Sequence, residues 1–202
     1  MNLILLGPPG AGKGTVAYAI KDKLNLTHLS SGDILREEIK RGTELGKKAE
    51  QYISKGQLVP DEDIIDMILN RVQGLNGVIL DGFPRTVAQA EKLEQALKID
   101  AVINLEAKLE VIMDRICSRR VCKDCKTVYN VKTHPETSCD SCGGELITRA
   151  DDNEKTVSSR YGVYLEQTQP LIDFYKKRGV LHTVNGEGDI KQVEKEILDL
   201  LK

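Results

Sequence analysis

The stretch Gly7-Pro8-Pro9-Gly10-Ala11-Gly12-Lys13-Gly14-Thr15 near the N-terminus constrains the fold of this chain more than any other feature. The apolar run Asn2 to Leu6 precedes it, and apolar residues then recur at helical spacing from Lys13 to Leu24. Strand, glycine-rich loop and helix in this order are typical of an α/β protein whose loop turns backbone N–H groups onto phosphate oxygens. Lys13 adds a mobile positive charge directed at the β and γ phosphates. We therefore expect a phosphate-binding loop (P-loop) in an α/β fold.

Three further apolar runs predict more strands of the same sheet. Val78 to Leu80, Ala101 to Leu105 and Val180 to Val184 are rich in β-branched residues, and amphipathic stretches of helix length separate them. This alternation is typical of a parallel sheet wrapped by helices. The chain ends in a predicted helix that starts at the N-cap residue Asp189, with an apolar face formed by Val193, Ile197, Leu200 and Leu201.

Two segments interrupt the alternation of strands and helices. Residues 30–59 are rich in charge and glycine, while residues 118–152 contain four cysteines and the pair Gly143-Gly144. We interpret both segments as insertions at the ends of strands. The remaining residues, 1–29, 60–117 and 153–202, are predicted to form the core.

The cysteines of the second insertion predict a metal site. Cys122-x-x-Cys125 and Cys139-x-x-Cys142 match the spacing of a tetrahedral zinc site, and four protein ligands leave no open position for catalysis. We predict structural Zn²⁺; unpaired thiols, or Asp140 or His134 as ligands, are the less favoured alternatives. Cys117 has no partner at motif spacing, and we expect it to be a small buried hydrophobe.

Composition excludes several other functions. A net charge of -2 provides no general basic surface for nucleic acid, and a chain with no Trp and two Phe lacks aromatic platforms for single strands. The N-terminal apolar run is too short for a signal peptide or a membrane span, so we predict a cytoplasmic protein that binds neither nucleic acid nor membrane. The three histidines, His28, His134 and His182, accompany no nucleophile motif and are interpreted as structural.

A second candidate site follows the predicted strand Val78 to Leu80. Asp81 ends that strand, and Gly82-Phe83-Pro84-Arg85 follows it directly. Strand ends of α/β sheets carry ligand chemistry. An aspartate there can orient the hydration shell of Mg²⁺, and a guanidinium can fork onto a phosphate. On chemistry alone, a helix cap and a surface charge explain the two residues equally well.

These motifs together resemble the adenylate kinases that have a zinc-binding lid. The similarity covers essentially the whole chain: the P-loop, the Asp81–Arg85 segment four residues before Gln89, and the paired CxxC motifs come in the order of that family. The residue after Lys13 is Gly14, so the hydroxyl comes one place later than in the general P-loop, at Thr15. This shift favours Mg²⁺ held through water by carboxylates such as Asp81 and Asp33.

The resemblance implies a fold, an activity and a set of contacts. The fold is a doubly wound P-loop core with a five-stranded parallel sheet, a mononucleotide-binding insertion at 30–59 and a zinc lid at 118–152. The activity is reversible, Mg²⁺-dependent phosphoryl transfer from ATP to AMP, giving two ADP, by a monomer. The implied catalytic residues are Lys13, Arg85, Arg119, Arg149 and Arg160, with the Asp151-Asp152 pair holding the closed hinge.

The resemblance also assigns residues to each nucleotide. The implied ATP contacts are Gly10, Ala11, Gly12, Lys13, Gly14, Thr15, Arg119, Val128, Tyr129 and Gly188, with Arg115 near the base. The implied AMP contacts are Ser31, Arg36, Gln57, Leu58, Val59, Gly82, Phe83, Pro84, Arg85, Gln89, Arg149 and Arg160. Gln89 pairs an amide with the adenine edge, but a flipped amide would serve guanine equally well. The choice of adenine therefore rests on the resemblance.

Three alternative functions stay open. A kinase for another nucleoside monophosphate shares most of these parts. A P-loop GTPase is a different class, and no NKxD-type guanine signature follows the Ala101 to Leu105 run. A zinc-ribbon ATPase that binds nucleic acid is the third, and salt-sensitive binding to single strands would identify it.

Overall fold

Five strands form a parallel sheet, and the computed structural model describes every residue from Met1 to Lys202. The predicted apolar runs lie in four of these strands, whereas the fifth, Thr27-His28-Leu29-Ser30, is too polar for an apolar run to indicate it. The five strands are β1 (Asn2–Leu6), β2 (Thr27–Ser30), β3 (Val78–Asp81), β4 (Ala101–Glu106) and β8 (Leu181–Asn185). Their order in the sheet is β2-β3-β1-β4-β8, so β1 lies at the centre, with β3 and β2 on one side and β4 and β8 on the other. This confirms the predicted doubly wound, five-stranded sheet.

Both faces of the sheet are buried, as continuous apolar strands require. Along β1, Leu3 and Leu5 belong to one apolar cluster, and Ile4 and Leu6 belong to the cluster on the opposite face. Nine helices accompany the sheet: α1 (Lys13–Leu24), α2 (Ser31–Arg41), α3 (Glu44–Ile53), α4 (Asp61–Val72), α5 (Val87–Ala96), α6 (Leu109–Cys117), α7 (Glu154–Val163), α8 (Pro170–Lys177) and α9 (Ile190–Leu200). None of them combines the length and the apolar composition that crossing a membrane requires.

The C-terminal helix α9 corrects one detail of the sequence interpretation. Asp189 is its N-cap, with the side chain accepting the Lys191 N–H at 2.9 Å, as predicted. Val193 and Ile197 are buried, but Leu200 is 40% exposed, so its predicted place on the buried face is wrong. The helix ends at Leu200, and Leu201, beyond that end, packs against the core instead.

Residues 30–59 form a pair of helices that shares the core of the sheet. Ile34 and Leu35 of α2 and Ala49 of α3 belong to the same buried cluster as Ile4 of β1. A Cβ added at Gly46 would lie 2.2 Å from the Glu38 carbonyl oxygen, so α2 and α3 approach each other closely only because residue 46 is glycine.

Residues 118–152 contain a separate small sheet. Its antiparallel strands are β5 (Arg119–Cys122), β6 (Val128–Asn130) and β7 (Leu146–Ile147), in the order β6-β5-β7. The buried residues that pack together here are only Cys122, Cys139 and Leu146. Burial therefore contributes little to the stability of this segment.

A π-helical turn, Tyr164–Thr168, joins α7 directly to α8. The wider turn changes the direction in which the following side chains point, and such turns often lie at functional sites. No residue pattern in this segment indicates the π-helical turn.

Candidate functional site

A cavity of about 660 Å³ lies where β1 and β3 end and α1 begins. Parallel sheets carry ligands at this edge. The residues predicted to contact nucleotides line the cavity, with one exception, Phe83, which is buried in the apolar core. Those that line it are Gly10, Ala11, Gly12, Lys13, Gly14, Thr15, Ser31, Arg36, Gln57, Leu58, Val59, Gly82, Pro84, Arg85, Gln89, Arg119, Val128, Tyr129, Arg149, Arg160 and Gly188.

The glycine-rich loop leaves the first N–H groups of α1 available to a ligand. Gly12 caps this helix with φ 101°, and no side chain bonds to the helix N-terminus. Gly7, at φ 134°, passes so close to β4 that an added Cβ would lie 2.4 Å from the Leu105 carbonyl oxygen. The glycines thus permit the backbone path that points free N–H groups and the positive end of the helix dipole toward the cavity.

Lys13 folds back over the glycine-rich loop. Its Nζ donates to the carbonyl oxygens of Gly7 and Pro8, at 2.8 Å each. Burial lowers the pKa of Lys13 from 10.5 to about 8, and the neighbouring Asp81 carboxylate opposes that shift. The lysine is therefore held beside the loop with a proton that it loses more readily than an exposed lysine does.

Asp81 places a carboxylate next to the same loop. A Cβ added at Gly14 would lie 3.4 Å from Asp81 Oδ2, and His28 Nε2 is 3.4 Å from that oxygen. Although burial alone would raise its pKa, the neighbouring His28 ring and the charge of Lys13 hold the pKa of Asp81 below its ordinary value. Asp81 is thus ionised at neutral pH and available to hydrated Mg²⁺.

Arg85 is fixed at three points of its backbone and side chain. Its Nε donates to the Gly82 carbonyl at 2.7 Å, and its N–H donates to Gln89 Oε1 at 2.7 Å. Thr168, the last residue of the π-helical turn, donates its hydroxyl to the Arg85 carbonyl at 2.9 Å. Burial lowers the pKa of Arg85. Arg85 is predicted from the sequence but Thr168 is not, because nothing in the local pattern connects positions 85 and 168.

Four further arginines converge from α2, β5, α7 and the segment between β7 and α7. Arg149 NH2 lies 2.9 Å from Asp33 Oδ1, and Arg36 NH2 lies 3.1 Å from Asp151 Oδ2. These two pairs join residues 30–59 to residues 118–152. Asp33, predicted to hold Mg²⁺ through water, is therefore engaged by an arginine in this structure.

The Asp151-Asp152 pair lies among these arginines. Arg160 NH1 is 3.2 Å from Asp151 Oδ2. Arg119 donates to both carboxylate oxygens of Asp152, from NH2 to Oδ1 and from Nε to Oδ2, the latter at 2.8 Å. Burial lowers the pKa of Arg149 and that of Arg160 to about 10 each, so both stay charged at neutral pH. The cavity thus contains a concentration of positive charge suited to phosphate groups.

Arg115 joins the segment at Gly186 and Glu187 to the glycine-rich loop at Ala11 through hydrogen bonds. Its guanidinium donates to the carbonyl oxygens of Gly186 at 2.8 Å, Glu187 at 3.3 Å and Ala11 at 3.4 Å. Gly188 follows in the same segment and lines the cavity. Arg115 therefore orders the backbone at the end of the cavity where the sequence analysis placed the ATP base.

The four predicted cysteines form one cluster. The Sγ atoms of Cys122, Cys125, Cys139 and Cys142 all lie within 4.8 Å of one another. Tetrahedral zinc with bonds of about 2.3 Å separates its sulfur ligands by about 3.8 Å, so the cluster fits zinc. The Tyr129 hydroxyl lies 3.2 Å from Cys139 Sγ and lowers the pKa of that thiol to about 6. A thiolate is the form that binds a metal.

The structure also bears on two sequence predictions about residues near the cluster, with different outcomes. The group of potential ligands contains neither His134 nor Asp140. Cys117 lies exposed at the end of α6, so the expectation of a buried hydrophobe is wrong. The helix α6 ends at Cys117, and the side chain of this residue is exposed to solvent in the last turn. Partial desolvation and nearby carboxylates raise the Cys117 pKa, which disfavours a nucleophilic thiolate.

Comparison with known proteins agrees with this geometry. The family model described as adenylate kinase matches residues 5–180. The adenylate kinase of Archaeoglobus fulgidus is 51% identical, with an alignment that covers 100% of this chain and 98% of the relative. The adenylate kinase of Desulforamulus reducens is 49% identical over 100% of both chains, and that of Caldicellulosiruptor saccharolyticus is 50% identical over 100% of this chain and 99% of the relative. The chain therefore belongs to the adenylate kinase family.

Proposed function

We propose that this protein is a zinc-lid adenylate kinase, which transfers a phosphoryl group from ATP to AMP and gives two ADP in a reversible reaction. The observation that carries the proposal is a single cavity with the glycine-rich loop and Lys13 at one side and five converging arginines around it. Family membership over the whole chain supports the same reaction.

The test is a coupled assay for ADP formed from ATP, AMP and Mg²⁺. GMP, UMP and CMP are offered as alternative acceptors at equal concentration. AMP should be the preferred acceptor by a wide margin. Preference for another monophosphate would instead identify a different nucleoside monophosphate kinase, the second candidate function. Hydrolysis of ATP without any acceptor would contradict both proposals.

ATP is assigned to the side of the cavity formed by the loop and the lid. The N–H groups from Gly10 to Thr15 bind its phosphates, and Lys13 turns from its carbonyl partners to the β and γ groups. Val128, Tyr129 and Gly188 surround the base and ribose, with Arg119 on the phosphates. All of these residues line the same cavity.

AMP is assigned to the side formed by residues 30–59 and the end of β3. Arg36 and Arg85 bind its phosphate, together with Arg149 and Arg160 between the two nucleotides. The residues around its sugar and base are Ser31, Gln57, Leu58, Val59, Gly82, Pro84 and Gln89. Phe83, buried in the core, supports this wall from behind rather than touching the nucleotide.

The chemistry needs alignment and charge neutralisation more than proton transfer. The AMP phosphate is already a nucleophile at neutral pH, so no general base is required. Lys13, Arg85, Arg119, Arg149 and Arg160 stabilise the negative charge on the transferring group. Bound Mg²⁺ would supply further charge neutralisation on the donor oxygens, with Asp81 positioned to hold its water shell and Asp33 able to join after release from Arg149.

Closure over bound nucleotides would also exclude water, which would otherwise accept the phosphoryl group from ATP. We assign this role to residues 118–152 as a lid, with residues 30–59 closing over AMP and the remaining residues as the core. Asp151 and Asp152 hold the closed hinge through Arg36, Arg160 and Arg119. The proposed molecule is a cytoplasmic monomer that acts without nucleic acid or membrane.

Lys13 gives a testable pH dependence. Since the pKa of Lys13 is about 8, its charge is present below that pH and is lost as pH rises through it. We expect kcat/KM for ATP to fall about tenfold per pH unit above pH 8, because this parameter reports the free enzyme. The Lys13→Met variant should lack this alkaline limb, and a wild-type profile that is flat to pH 10 would contradict the assignment.

The proposed zinc ion stabilises the lid and takes no part in the chemistry. Cys142→Ser should lose zinc and lower Tm by about 5–10 °C, since the lid buries few apolar residues of its own. Cys142→Asp should retain more zinc, because a carboxylate is an accepted ligand. Metal analysis, melting curves and the ADP assay are compared with Cys117→Ser, an exposed cysteine outside the cluster. Abolished turnover in a folded, thermally intact Cys142 variant would show a catalytic metal instead.

A further inference from the structure

Asp61, the first residue of α4, contacts the amide of Gln89. Gln89 is 2% exposed and lines the cavity. Its Nε2 donates to Asp61 Oδ1 at 2.7 Å, and its Oε1 accepts the Arg85 N–H at 2.7 Å. The amide therefore lies between a carboxylate and a backbone N–H.

The chemistry of these two partners fixes the orientation of the amide. A backbone N–H only donates, and an ionised carboxylate only accepts. Rotating the Gln89 amide by 180° would place its NH₂ against the Arg85 N–H and its oxygen against the Asp61 carboxylate. Both contacts would become repulsive, and each buried group would lose its hydrogen bond. Only one of the two orientations is therefore compatible with the surroundings.

Asp61 is itself held in place. Its Oδ2 accepts the Thr86 hydroxyl at 2.8 Å, and the same Thr86 oxygen caps α5 by accepting the Gln89 N–H at 3.2 Å. The starts of α4 and α5 are thus joined through three side chains. This closed arrangement leaves the Asp61 carboxylate little freedom to follow a rotated amide.

After these bonds, Gln89 retains one N–H and one oxygen lone pair for a ligand. A purine with an amino group at C6 presents a donor at N6 and an acceptor at N1. A purine with a keto group there presents an acceptor at O6 and a donor at N1–H. The same amide serves both patterns only if it can rotate, since the donor and acceptor exchange places.

We propose that Asp61 is a specificity-determining positioning residue: it locks the Gln89 amide in the orientation that matches 6-amino purines and rejects 6-keto purines. This inference rests on the proposed binding of AMP in the same cavity. A purely structural role is the competing explanation, because Asp61, Glu62 and Asp63 all favour the N-terminus of α4 through the helix dipole. A dipole effect carries no information about the base.

The test compares AMP with IMP, whose base has the 6-keto pattern without the extra amino group of guanine. Asp61→Asn keeps the side-chain shape and adds an N–H that can face a rotated Gln89 oxygen. We expect the ratio of kcat/KM for AMP to that for IMP to fall about tenfold, through a lower value for AMP and a higher one for IMP. Glu62→Gln removes a charge from the same helix turn at an exposed position and should leave the ratio unchanged.

Equal losses for AMP and IMP, or an unchanged ratio, would overturn the inference and leave Asp61 as a structural residue. In a Gln89→Leu background, Asp61→Asn should have no further effect on the ratio, since no amide remains to be positioned. If circular dichroism shows that Asp61→Asn is unfolded, Asp61→Ser is judged by the same ratio. Wild-type protein that phosphorylates neither nucleotide would refute the proposed function, whereas active wild type with an unaltered variant ratio refutes this inference alone.

Discussion

Lys13→Met should lower kcat by about 10³-fold, while the Kd for ATP rises by less than about tenfold. The N–H groups at the start of α1 have no side-chain partner and still bind the ATP phosphates in the variant. Methionine has no positive charge with which to stabilise the negative charge that develops as the phosphoryl group leaves ATP. Lys13 lies in a desolvated setting, where one charge has a larger effect than in water. Turnover is measured by ADP formation, and ATP affinity by calorimetry.

Lys23→Met provides the control for this experiment. Lys23 lies on the same helix, is 58% exposed and pairs with Glu194 at the surface. Loss of such a surface pair has little effect on stability, and kcat should stay at the wild-type value. If Lys13→Met turns over as fast as Lys23→Met, then the glycine-rich loop does not act on the transferring phosphate.

Arg85→Lys should lower kcat by about 10²–10³-fold, with a much smaller change in the affinity for ATP. The Arg85 guanidinium is anchored through Nε to the Gly82 carbonyl, which leaves both terminal NH₂ groups for phosphate oxygens. A lysine keeps the charge but has neither the anchor nor the planar fork. Because acceptor and donor must be aligned, a small displacement of this group costs rate more than binding.

Arg178→Lys is the matched control for Arg85→Lys. Arg178, at the end of α8, pairs with Glu94 and stacks over the Phe174 ring, away from the cavity. The same substitution there should leave kcat unchanged. A near-normal kcat for Arg85→Lys would remove Arg85 from the proposed mechanism, and a similar loss in both variants would indicate a general effect on folding.

The features that the sequence predicted well are those encoded by contiguous residues. The helix from Lys13 to Leu24 begins and ends where predicted, because the glycines before it and the apolar spacing within it are local signals. The four-cysteine cluster follows from two short CxxC spacings. For the same reason, the apolar run Val78 to Leu80 indicated β3 directly, and Asp81 came with it as the residue at the strand end.

The features that the sequence did not predict depend on contacts between distant positions. Asp61 and Gln89 are separated by 28 positions, and Thr168 and Arg85 by 83, so no window of sequence shows either pair. The strand order is another such feature, since β2 lies at the edge of the sheet through its pairing with β3. The exposure of Leu200 and Cys117 depends on whether another element covers the last turn of a helix, which apolar spacing does not report.

Several arginines of the cavity are already paired with carboxylates of the protein, Asp151 and Asp152. A phosphate that binds Arg36, Arg119 or Arg160 must take over guanidinium groups that already have carboxylate partners. Each new contact is offset by the loss of an existing one, so the net affinity is well below that of bare guanidinium groups. In a reaction whose substrates and products are all nucleotides, we expect this weaker net binding to speed the release of ADP as well as of ATP and AMP. Asp151 and Asp152 would thereby favour rapid turnover in both directions, because neither substrates nor products are bound very tightly.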